Sequence, residues 1–285
     1  MAFGFGSKTR SLKDDFGPSA AHRLSTGLRC ESPFVVPEAG GAMIFGTLNL
    51  RACRERLATA RYRPVVCLDG RALGCLWLST FGDSTCGPYQ ELTVTMLVSR
   101  EARQVPWVNR WTPFAVQQLD GVFICEYTLV LNNPHAIAYG RELHGFDKHM
   151  GELGIADDGA EVRFAVSQDT VSTVRGRLRV RPELHVQARM LAEIGAALGA
   201  RKTAAALRQR LHPLRVVTPP TLFERRTDIF FRGRPILQPW AASDELVIGA
   251  SPVGHVIKDL DFQPTATQVL RGGEGIMVYP EPVDG

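Results

Sequence analysis

A lysine adds to a carbonyl carbon only when its amine is neutral, and burial among apolar groups favours that form. Lys148 is the residue of this chain best placed for such chemistry. It sits in Gly140-Arg141-Glu142-Leu143-His144-Gly145-Phe146-Asp147-Lys148-His149. Phe146, just before it, and the apolar run Val122–Leu131 can supply a dry wall. His149 can share the local charge when protonated. The product of attack would be a Schiff base. Glu91, in Gly87-Pro88-Tyr89-Gln90-Glu91, follows a Gly-Pro turn and precedes an apolar stretch, where a carboxyl can act as acid or base at a cavity rim. Lys148 and Glu91 are 57 residues apart, so only the fold can bring them into one closed, strand-built pocket. By residue type alone, the bland alternative is a loop lysine facing water.

The elements that must position these residues are mostly short strands. Val122–Leu131 is β-branched and aromatic, reads as a strand, and is broken by Asn132-Asn133-Pro134. Pro134–Tyr139 then opens a short helix or turn that leads to the lysine. Upstream, Gly40–Thr47, Val65–Cys67, Leu73–Leu78 and Glu91–Ser99 read as strands. Leu50, Cys53 and Leu57 recur at helical spacing after a possible cap, Asn49. Downstream, Val162, Phe164 and Val166 share one face of a strand, and Ser172–Val180 is another. Gln187–Gln209 is expected to be a long helix, kinked near Gly195 and Gly199. Leu214–Val217, Thr227–Phe231, Leu246–Ile248 and Ile257–Phe262 read as further strands. Short strands joined by turns argue against a doubly wound sheet and for an antiparallel barrel or sandwich with a few helices. One domain over residues 36–285 is expected, preceded by an N-terminal arm or packed extension over residues 1–35.

Composition excludes several classes. The net charge of +4 is small for a nucleic-acid binder. Its densest basic cluster, Arg175, Arg177, Arg179 and Arg181, alternates with Gly176, Leu178 and Val180 and has no interleaved aromatics. That pattern is one solvated face of a strand rather than a stacking platform. Six cysteines form no Cys-x-x-Cys pair, so buried free thiols in a reducing compartment are expected. His144 and His149 lack a carboxylate at ligand spacing, and no metal is assigned. There is no Gly-x-Gly-x-x-Gly loop after a strand and no Gly-x-Ser-x-Gly elbow. The first residues contain no apolar signal core, and no run is long enough to span a membrane; a cytoplasmic location is the expectation.

Gly87-Pro88-Tyr89-Gln90-Glu91, followed by Ala136-Ile137-Ala138-Tyr139-Gly140-Arg141-Glu142-Leu143-His144-Gly145-Phe146-Asp147-Lys148, resembles the acetoacetate decarboxylase family. Pro235 through Leu260, with Ser251-Pro252-Val253, resembles the family's closing segment. The resemblance implies that Lys148 is the Schiff-base lysine and Glu91 the active-site glutamate. It implies that Arg141 and Glu142 are a supporting pair, the arginine buried against a carboxylate to fix the turn. It further implies a mixed α+β, mostly antiparallel fold with a cone-like barrel and a few flanking helices. A small oxo acid as substrate, no cofactor and a homo-oligomeric state also follow from it. Three positions depart from the family pattern. His149 stands where members carry a second lysine, Asp147 where they carry a proline, and no arginine occurs near Gly40-Gly41. Relatives that run aldol condensation and dehydration place a glutamine four residues before the lysine; here that residue is His144. Two reactions therefore stand open, with His144, Glu91 and Tyr89 as proton carriers: decarboxylation of a β-keto acid, or aldol–dehydration on a 2-oxo acid. A non-catalytic cavity protein is the third reading.

Overall fold

The computed structural model describes residues 20–57, 61–105, 116, 121–181, 212–217, 225–232, 236–279 and 283–284. At 37, 212–217, 225–232, 271–277 and 283–284 it describes the backbone alone. The helix expected over Gln187–Gln209 lies outside the described residues.

The strands are β1 (Ala20–Arg23), β2 (Arg29–Ser32), β3 (Phe34–Leu48), β4 (Arg63–Pro64), β5 (Val66–Cys67), β6 (Ala72–Phe81), β7 (Tyr89–Ser99), β8 (Gln104–Val105), β9 (Val122–Leu131) and β10 (Lys148–Met150). The second half adds β11 (Glu152–Asp157), β12 (Glu161–Gln168), β13 (Val171–Arg179), β14 (His212–Val217), β15 (Arg225–Arg232), β16 (Ile236–Pro239), β17 (Glu245–Ile248), β18 (Gln263–Tyr279) and β19 (Val283–Asp284). Three short helices accompany them among the described residues: α1 (Leu50–Arg56), α2 (Pro134–Tyr139) and α3 (Pro252–Asp259), with a π-helical turn over Gly140–His144.

The mixed, mostly antiparallel α+β class matches expectation, but the cone-like barrel does not. The strands divide among sheets of two, thirteen and four, and no sheet is closed or strongly curled. A barrel wall needs continuous ladders of matched tilt and stagger. Here β14 meets β9 over two residue pairs, and β15 meets β18 over three. The register of β18 on β3 also breaks three times. At the centre of the large sheet β3, β6, β7 and β9 pair antiparallel in that order, with one bulge between β7 and β9.

Alternation along β7 sorts its residues between two cores. Leu92, Val94, Met96 and Val98 pack with Phe164 and Leu178 of the four-stranded sheet and with Ile257 of α3. Tyr89 and Leu97 face the opposite way, packing with Leu129 and Leu131 of β9, and with Tyr139 and Phe146. Glu91, Thr93 and Thr95 share this second face, and all three are buried.

Several expectations change in detail. Residues 20–32, without a steady period in sequence, form the β1–β2 hairpin. Ile257–Phe262 is not a strand. Ser251 caps α3 by accepting from Gly254 N, Pro252 occupies the first turn, and Val253, Ile257 and Leu260 fall at helical spacing on the buried side. Arg175, Arg177 and Arg179 are exposed as expected, but Arg181 is buried and ion-paired at 2.7 Å with Asp244. All six cysteines are buried free thiols. Among the described residues no helix is long and apolar enough to cross a membrane.

Candidate active site

Two tethers bring the lysine segment to β7. Asn132 Oδ1 accepts from Gln90 N at 2.8 Å, and Asn133 Nδ2 donates to Cys86 O at 2.8 Å. The Asn133 side chain also caps α2 by accepting from His135 N and Ala136 N, with Pro134 in the first turn. The Asn-Asn-Pro break in the sequence is therefore the joint between the two halves of the site. After α2 the chain makes the π-helical turn, which Gly145 ends in the left-handed conformation at φ 73°. It then enters β10, a short strand parallel to β9 that opposes Lys148 to Leu129.

Lys148 and Glu91 meet there. Lys148 Nζ donates to Glu91 Oε2 at 2.7 Å, and each side chain is only 7% exposed. The second carboxylate oxygen of Glu91 accepts from Thr93 Oγ1 at 3.2 Å. The amine lies 5.6 Å from the centroid of the Phe146 ring. His144 stacks on the same Phe146 at 5.3 Å, and also contacts Tyr139 at 5.3 Å and Tyr279 at 6.2 Å. Tyr89 packs against Phe81 at 4.5 Å. Burial first, and the charge of Glu91 second, push its hydroxyl well above the usual tyrosine range, so it holds its proton.

The other expected neighbours stand elsewhere. His149 follows Lys148 in an extended strand, so its side chain points to the opposite face. It pairs with Asp147 at 2.9 Å, both being 37% exposed. Asp147 thus engages His149 rather than the amine, and that hydrogen bond holds its carboxyl below the usual range. Arg141 and Glu142 are both exposed, which corrects the expectation of an arginine buried against a carboxylate. Glu142 instead accepts from Ser25 N at 3.1 Å, and the Ser25 hydroxyl donates to it as well. Thr26 contacts His135 Nδ1 at 3.0 Å. The turn of the N-terminal hairpin is thereby pinned onto the segment that presents the lysine. Among the described residues, no three His, Cys, Asp or Glu side chains converge to hold a metal ion.

One site residue escapes a reading of the sequence. Glu126 lies inside the apolar strand β9, is 4% exposed, and shares the face of Glu91. Burial above all, and then the charge of Glu91, push its carboxyl up to about 8, while Lys148 acts in the opposite sense. The available signal was a lone carboxylate in a ten-residue apolar run. The shift has a sign for stability. The folded protein binds this proton more tightly than the unfolded chain does. The contribution is therefore complete below about pH 4.5 and is lost as pH rises through about 8. Glu126→Gln should gain on the wild type by roughly 4 kcal/mol between pH 5 and pH 8. Urea unfolding of both proteins at the two pH values measures it, and a difference independent of pH would contradict the assignment.

Residues 64–198 match the acetoacetate decarboxylase family, a span that contains both Glu91 and Lys148. No curated protein sequence matches the chain significantly. Solved structures share its fold. An acetoacetate decarboxylase is 14% identical, with 95% of this chain and 96% of that one aligned and a TM-score of 0.56. The acetoacetate decarboxylase of Legionella pneumophila subsp. pneumophila str. Philadelphia 1 is 12% identical over 95% of this chain and 93% of its own, with a TM-score of 0.57. The enduracididine biosynthesis enzyme MppR, complexed with the condensation product of pyruvate and imidazole 4-carboxaldehyde, is 12% identical over 94% and 96%, at 0.51. At these identities the likenesses speak for the fold, and the family match covers residues 64–198. Over residues 64–198 the chain is thus similar to the acetoacetate decarboxylase family, and its fold is shared with solved acetoacetate decarboxylases.

Proposed function

We propose that this protein is a Schiff-base-forming lyase that decarboxylates a small β-keto acid through Lys148. The observation that carries the reading is the buried 2.7 Å contact between the Lys148 amine and Glu91. Proton transfer within that pair yields the neutral amine and a carboxylic acid beside it. The amine adds to the keto carbon, water leaves, and the resulting iminium draws the electrons of the departing carboxylate as carbon dioxide is lost. Glu91 offsets the positive charge of the iminium. Phe146 and Leu129 keep bulk water from the amine. His144 lies behind Phe146 and orients that wall through the stack.

Aldol–dehydration on pyruvate or another 2-oxo acid is the second reading. It is favoured by the number of buried proton carriers on this face, Glu91, Glu126 and His144, which exceeds what loss of carbon dioxide alone needs. One set of measurements separates the readings. The protein is incubated with acetoacetate or pyruvate, reduced with borohydride, and mapped by peptide mass. The expected result is an adduct on Lys148 that is absent from Lys148→Ala, with carbon dioxide released from acetoacetate. Exchange of pyruvate methyl protons without gas from acetoacetate would select aldol–dehydration. No adduct with either compound would leave a binding protein.

A further inference from the structure

Glu126 has no part in the reaction as written above, yet it is placed to take one. On β9 a bulge at Tyr127 lets Glu126 oppose Thr95 while Leu129 opposes Thr93. Thr93 and Thr95 are two apart on β7, so Glu126 and Leu129 present their side chains to the face that holds Glu91. Leu129 is also the partner of Lys148 on β10. Glu126 and Lys148 therefore stand on adjacent strands, offset by about two positions, or roughly 8 Å between their Cβ atoms. Both side chains are long enough to bridge that gap from either side of a bound substrate. Among the described residues, the ionisable groups that act on Glu126 or are acted on by it are Glu91 on β7, Lys148 on β10, Tyr279 on β18 and Cys125 on its own strand.

Two carboxyls thus share one amine, and their surroundings differ. Glu91 is in direct contact with the ammonium, and Glu126 is not its hydrogen-bond partner. Where environments separate two acids in this way, the ion-paired one serves as base and counter-ion and the other as acid.

We infer that Glu126 is the carboxylic acid that protonates the enamine carbon after carbon dioxide leaves. The inference rests on the Schiff-base reading and deepens it. In the step, the Glu126 O–H bond breaks and a C–H bond forms at the carbon that lost the carboxylate. The enamine becomes an iminium, and Glu126 becomes a carboxylate. Water then adds to the iminium carbon, the C–N bond to Lys148 breaks, and the proton released returns to Glu126. One solvent proton is consumed per carbon dioxide. Because burial raises the Glu126 carboxyl to about 8, the acid form is present through neutral pH.

The experiment uses the full-length protein, its Glu126→Gln variant and acetoacetate as probe. Carbon dioxide and acetone are followed separately, alongside borohydride trapping. In the wild type the two products should appear together, with acetone formation falling above about pH 8. Glu126→Gln should still trap the imine and release about one carbon dioxide per site, while acetone formation drops by about 10² to 10⁴-fold and loses the basic limb. Glu126→Asp should restore part of the rate. Acetone formation at the wild-type rate and with the wild-type pH profile in Glu126→Gln would overturn the inference while trapping upholds the Schiff base. A variant that does not fold leaves the wild-type profile to decide, and absence of the basic limb there overturns it equally. Failure of trapping in the wild type would instead remove the Schiff-base reading, and the role of Glu126 with it.

Discussion

Replacing either member of the Lys148–Glu91 pair alone should cost about 3–5 kcal/mol of stability, whereas replacing both should cost little or nothing. The two groups are 2.7 Å apart with side chains 7% exposed, so neither retains its hydration. In Lys148→Met the carboxylate of Glu91 stays buried with Thr93 as its donor among the described residues, and in Glu91→Leu the ammonium stays buried against Phe146. Each single variant thus keeps a buried charge without its 2.7 Å partner. The double variant Lys148→Met/Glu91→Leu removes both charges and fills the space with carbon. Four urea unfolding curves close the cycle. With each single change costing about 3–5 kcal/mol and the double change little, a coupling energy of roughly 6–10 kcal/mol is expected. Coupling of about 0.5 kcal/mol, the level of a solvent-exposed pair, would show that water reaches the amine. The stability of the double variant would also separate the two demands on this site. The pair is costly to bury, and its presence in the core is understandable if the amine is there to react.

The parts of this arrangement that could be read from sequence are those set by local chemistry. The strand Val122–Leu131 forms over the same residues, because a β-branched and aromatic run ends at Asn-Asn-Pro. Asn49 caps α1 by accepting from Ala52 N, as its position before a helical spacing requires. Glu91 and Lys148 were singled out by their flanking residues, and the fold brings them together. What was not legible depended on partners distant in the chain. The 17-residue strand β18 is split in sequence by Arg271-Gly272-Gly273-Glu274-Gly275, and only its pairing with β3 makes it one element. Ile257–Phe262 is apolar enough for a strand, and the cap at Ser251 decides for a helix. Glu126 looked like one more strand residue, because its environment is supplied by β7 and β10. The inter-sheet geometry was carried over from the resemblance as a barrel, and short ladders at β14 and β15 break that expectation.

Gly140→Ala should lower turnover by about 10²-fold. Gly140 has ordinary helical angles, φ −67° and ψ −39°, so no left-handed backbone demands glycine there. In a helical turn, alanine is the better residue by up to about 1 kcal/mol. What excludes it is the lysine. A Cβ at this position would press on Lys148 Cε, and would lie 2.6 Å from Cδ and 3.1 Å from Nζ. Those atoms are the far end of a flexible side chain, so the clash is relieved by moving the amine rather than the backbone. The amine then leaves its 2.7 Å contact with Glu91 and its place over Phe146. A displacement of about 1 Å is enough for the expected loss. Gly145→Ala supplies the contrast. Gly145 has φ 73°, so alanine there is strained by about 1 kcal/mol, and it lies at the end of the turn rather than against the amine. The two variants should therefore part company. Gly140→Ala should lose rate and borohydride trapping, while Gly145→Ala should melt earlier and keep more of its rate. If Gly140→Ala retains full turnover, the lysine does not need the position it occupies, and the reaction does not pass through it.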